Sequence, residues 1–146
     1  MASNDNAIFL SPQGTKIKHE STLASGTAFP GMLLAYSAGE VLVNPTAEDV
    51  APLFMLADLS VSVAGAIGTE YNTTVNDRVN WRIPQSGELV KLHMATSTVI
   101  AQGDQLGSAG NGSVKKVAVA DVGVIAYALE AVTTTAATDF ILAIVK

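Results

Sequence analysis

Ile100 to Val119, IAQGDQLGSAGNGSVKKVAV, sets short apolar runs on either side of glycine-rich turns. It reads as a strand, a glycine corner at Gly103, a tight hairpin at Asn111-Gly112 and a returning strand. Asn-Gly supplies the positive φ angles that a two-residue hairpin demands. A related stretch begins 72 residues earlier, at Gly31. Placing Gly31 on Gly103 puts Leu34 on Leu106, Asp49 on Asp121, Val50 on Val122 and Asp58 on Glu130, with no gap. The spacing predicts one strand-turn-strand module used twice, over about 31–60 and 103–132.

The same punctuation recurs elsewhere in the chain. Pro30-Gly31 is a turn signal, followed by a strand over Met32–Tyr36, a turn at Ser37–Glu40 and a strand over Val41–Val43. Thr46-Ala47-Glu48-Asp49 resembles a helix start that Pro52 limits to about a turn. Leu53–Leu56 and the alternating Val61 and Val63 predict further strands. Val75, Val79, Trp81 and Ile83 share one strand face, with Arg78, Asn80 and Arg82 on the other. After the turn at Gln85–Glu88, Val90, Leu92 and Met94 are expected to point inward and Lys91 and His93 outward. DFILAIV, Asp139–Val145, lacks polar alternation and predicts a strand covered on both faces. No long amphipathic helix is written anywhere, so the fold class is all-β: a small compact barrel-like domain over residues 27–146. Residues 1–26 are polar, with Pro12 and Gly14, and read as an extended N-terminal arm. Its one apolar patch is Ala7–Leu10, which needs a neighbouring surface to bury it.

Composition narrows the function. Charged residues make up 14%, against about 25% in an average globular protein. With 49% hydrophobic residues, extensive subunit or partner contacts are expected; a monomer coated in Ser and Thr is the alternative. A net charge of −5 with scattered basic residues argues against nucleic acid as a direct partner. With no Cys there is no disulfide or thiolate metal site. No run approaches the ~18 apolar residues of a membrane helix, and the N-terminus does not read as a signal peptide.

Reactive groups are few. His19 and His93 lack metal-ligand spacing and are read as solvated surface residues. Gly107–Ser113 begins like a phosphate loop, but Ser113 stands where the Lys should be and a strand follows instead of a helix. Asp49, Asp58, Asp121 and Glu130 lack the spacing of a calcium loop and are assigned to turns and strand ends. The sequons at Asn72 and Asn111 carry no weight without an export signal. No catalytic, cofactor-binding or metal-binding residue is assigned, and the chain is not expected to be an enzyme.

The order of motifs resembles a family. A polar arm precedes Pro30-Gly31-Met32-Leu33-Leu34 and Gly87-Glu88-Leu89-Val90. Ile100–Leu106, Gly110-Asn111-Gly112 and Val124–Glu130 follow. This is similar to the capsid decoration (cement) proteins of tailed bacteriophages, from about Gly26 to the C-terminus. The resemblance implies a β-tulip-like fold and a homotrimer on the outer capsid surface of the virion. There it would tie neighbouring major capsid proteins together, after synthesis in the host cytoplasm, without cofactor, nucleic acid or membrane. It further implies that Ile8, Phe9 and Leu10 anchor the arm on the capsid, adding a strand to a capsid sheet. Another phage structural β-protein, a tail-tube or head-fibre component, is the alternative in the same class. A carbohydrate- or ligand-binding β-module is the alternative outside it; exposed aromatics forming a stacking platform would favour that reading, and Trp81 patterns inward.

Overall fold

The computed structural model describes residues 19–22, 27–43, 55–57, 71–72, 78–119, 122–135 and 139–146. Ile8, Phe9 and Leu10, the helix start at Thr46, the Val61–Val63 strand and Asp49, Asp58 and Asp121 lie outside these residues. All regular structure among the described residues is β. The strands are β1 (His19–Thr22), β2 (Thr27–Ala28), β3 (Leu33–Ser37), β4 (Glu40–Val43), β5 (Met55–Ala57), β6 (Tyr71–Asn72) and β7 (Arg78–Arg82). They continue with β8 (Leu89–His93), β9 (Val99–Ile100), β10 (Gln105–Ser108), β11 (Val114–Lys116), β12 (Ala126–Ala128), β13 (Val132–Thr133) and β14 (Phe140–Val145).

Among the described residues there are two five-stranded antiparallel sheets, in the orders β4-β3-β5-β7-β1 and β11-β10-β12-β14-β8. Two ribbons, β9-β13 and β2-β6, flank them. The two sheets correspond strand for strand, and their registers agree at every ladder. Leu34 opposes Val43 and Met55, as Leu106 opposes Lys116 and Ala126. Ala57 opposes Trp81, which opposes His19; in the same way Ala128 opposes Ala143, which opposes Val90. In both units β3 and its equivalent β10 are entered by a turn with glycine at its third position, Phe29–Met32 and Ala101–Asp104, closed by 3.1 Å backbone bonds. Gly31 and Gly103 each have φ 88°, a value for which glycine is favoured at that place. The spacing of 72 holds from these glycines through Leu34 and Leu106. It becomes 73 from Val43 to Lys116 and 71 from Met55 to Ala126, because the second hairpin is longer and the following connection shorter.

That longer hairpin corrects the two-residue turn expected at Asn111-Gly112. Gly110 and Gly112 take positive φ (93° and 76°) while Asn111 does not. Ala109 N–H donates to Ser113 O at 2.8 Å, and the Asn111 side chain accepts from Ser113 N–H at 3.3 Å. The tight two-residue hairpin falls in the first unit instead, where Ala38 (φ 51°) and Gly39 (φ 89°) join the opposed Ser37 and Glu40.

Each sheet curls around its own core, and no closed barrel forms among the described residues. In the second sheet the two edges meet at one isolated parallel bridge, Met94 to Val114. Its interior holds Val90, Leu92, Met94, Leu106, Val114, Ile141, Ala143 and Val145, all buried. Leu34, Val41, Val79 and Trp81, with Ala28, fill the first. Neighbours on β3 point to opposite faces, so Leu33 joins the second core and Leu34 the first.

The expected alternation holds for Val79, Trp81, Val90, Leu92 and Met94, all buried. It fails for the opposite face. There Lys91, His93 and Arg82 are buried; on the inward face Ile83 departs from the expectation as well and is exposed. For His93 the physical reason is that the Phe29 ring stacks on it and the Phe140 ring meets it edge-on. The Phe29 segment is held along the edge of β8, where His93 N–H donates to Gly31 O at 2.9 Å. On β14, Ile141, Ala143 and Val145 are buried and Phe140, Leu142 and Ile144 half-buried, so cover is complete on the inner face only.

Candidate interaction surfaces

Two clusters of side chains stand out, one at the joint between the sheets and one at the end of the first. At the joint, the 109–113 hairpin docks on β3 and β4. Leu33 N–H donates to Gly112 O at 2.7 Å. A Cβ on Gly112 would meet Val43 Cγ1 at 2.6 Å, so the approach requires glycine. His93 packs beside it, its ring stacked on Phe29 (5.6 Å between centroids) and edge-on to Phe140 (5.3 Å). Its Nδ1 lies 3.0 Å from Ser113 Oγ. The buried histidine therefore ties hairpin, turn and β14 together. The solvated role expected for it is corrected; the signal that could have revealed it is the Pro-Gly turn at 30–31, which carries a backbone back across β8.

The second cluster is aromatic. His19 stacks on Trp81 with 4.4 Å between centroids and 20° between planes, and Tyr36 approaches Trp81 at 6.5 Å and 51°. Trp81 donates its indole N–H to Ser21 Oγ at 3.0 Å. His19 is exposed and Tyr36 is 56% exposed, while Trp81 between them is nearly covered. His19 belongs to β1, so the described part of residues 1–26 is an edge strand of the first sheet, paired to β7 over four residues. The anchors expected on the arm, Ile8, Phe9 and Leu10, precede it and lie outside the described residues.

Charge contributes locally. Asp104 accepts from Lys116 Nζ at 2.8 Å and from Ala101 N–H at 2.8 Å. The Lys116 ammonium, then the Ala101 amide, hold the Asp104 carboxyl below the usual carboxylate range. Glu130 accepts from Leu142 N–H at 2.8 Å and finishes the β12–β14 ladder. Among the described residues no three His, Asp or Glu side chains gather as metal ligands. No helix among them is long and apolar enough to cross a membrane.

No protein-family model matches the chain, and no curated protein matches it. Among solved structures, the fold is similar to the N base of the head fibre protein gp8.5 of bacteriophage phi29. The TM-score is 0.61 at 13% identity, covering 90% of this chain and 95% of that one. The chain thus shares its all-β architecture, over nearly its whole length, with the base of a phage head fibre.

Proposed function

We propose that the chain is a structural protein of a phage virion, bound to the outside of the capsid, where it ties neighbouring major capsid subunits together. The observation that supports this reading is the fold likeness to a head-fibre base, which extends over 90% of the chain. Low charge fits a surface shared with copies of itself and with a shell. In this reading the protein is a homotrimer that carries no cofactor and no enzymatic activity. It touches capsid protein rather than nucleic acid or membrane, and Ile8, Phe9 and Leu10 anchor it.

The same likeness favours a second reading, in which the chain is the base module of a head fibre. Mixing the purified protein with undecorated expanded capsids and imaging by electron microscopy tests both. Compact density bridging capsid subunits supports cementing. Density attached at one point and without bridges supports a fibre base. Bare capsids at saturating protein would defeat both readings.

A further inference from the structure

The matching registers allow the interiors of the two sheets to be compared position by position. In the second sheet Val90, Ala143 and Ser108 occupy three inward sites and are almost completely buried. Their counterparts in the first are His19, Trp81 and Tyr36, placed by the same ladders. One backbone is therefore closed by small dry side chains, and its equivalent ends in three rings, two of them open to water. Closing the curled sheet does not demand aromatics, since Val and Ala suffice in the second unit. Exposed rings held in fixed positions are a feature of binding surfaces.

The chemistry around the rings indicates the ligand. Ser21 accepts the Trp81 N–H, which fixes the indole and leaves the serine hydroxyl hydrogen to donate elsewhere. Tyr36 adds a further hydroxyl on the same face. Ring faces flanked by hydroxyls suit a molecule with apolar C–H faces and equatorial hydroxyls. The net charge of −5 disfavours an anionic ligand. We infer that His19, Trp81 and Tyr36 form a binding site for a neutral carbohydrate, with a hexopyranose ring lying against Tyr36 and His19.

Trp81 is the chain's one tryptophan, so its fluorescence reports on this site alone. The protein is titrated with maltohexaose, cellohexaose and N-acetylchitohexaose, and with polygalacturonate as an acidic comparison. Saturable change is expected with at least one neutral oligosaccharide, in the weak range of about 1 mM, and none with polygalacturonate. Tyr36→Ala, at an exposed position, should weaken it about tenfold while circular dichroism stays unchanged, and Tyr36→Phe should retain most of it. No saturable response to any of the three neutral sugars, or a response that Tyr36→Ala leaves intact, overturns the site. Capsid binding is a separate measurement, so either role can fail without the other.

Discussion

Ala38 holds a backbone that alanine rarely adopts, φ 51° in the two-residue turn between β3 and β4. Asparagine tolerates this region better, so Ala38→Asn should raise stability by about 0.5–1 kcal/mol in urea unfolding. Two glycines separate strain from space. A Cβ added to Gly103 (φ 88°) would meet nothing within 4 Å, so Gly103→Ala should cost only the backbone strain, about 1 kcal/mol. Gly112→Ala adds a collision with Val43 and should cost about 3 kcal/mol, at least twice as much by the same measurement. For Asp104 the sign follows from a folded pKa lowered below 3.8. Its contribution is complete above the ordinary carboxylate range and disappears as pH falls below it. Lys116 is more than half exposed, so the pair stabilises by a few tenths of a kcal/mol. Lys116→Ala should lower stability by that amount at neutral pH and leave it nearly unchanged where Asp104 is protonated, so the acid limb of a stability-against-pH curve becomes flatter.

Strands built on local signals are the readable elements. Pro30-Gly31, Ser37–Glu40 and the alternation of Val90, Leu92 and Met94 each carry their own turn or period, and the elements stand there. The second face of β8 is not readable, because the ring that covers His93 comes from Phe29, more than sixty residues away in sequence. The ring cluster is hidden for the same reason: Trp81 patterns inward, but its stacking on His19 needs the β1–β7 register, which no local pattern encodes. β1 also sharpens where the arm ends. Deleting residues 2–14 leaves β1 in place and should abolish capsid binding with the melting temperature little changed. Deleting 2–22 removes β1, strips His19 and Ser21 from Trp81, and should lower the melting temperature by several degrees, read by Trp81 fluorescence. Equal melting temperatures for the two deletions would mean that β1 contributes nothing to the fold.

At the scale of the whole molecule, two units of one plan are joined where a hairpin of the second rests on β3 and β4 of the first. The number of strands in each unit then has a consequence for direction. Around the second sheet every neighbour is antiparallel, so orientation alternates from β11 through β10, β12 and β14 to β8. Five is odd, so the first and last strands must run the same way, and wherever they touch the contact has to be parallel. That contact is the single bridge between Met94 and Val114. Parallel pairing is slightly weaker per residue, and here there is one bridge rather than a ladder. Under tension applied across the molecule, such as a shell swelling beneath it, parity therefore puts the tear line along β8 and β11, leaving the four antiparallel ladders to part later.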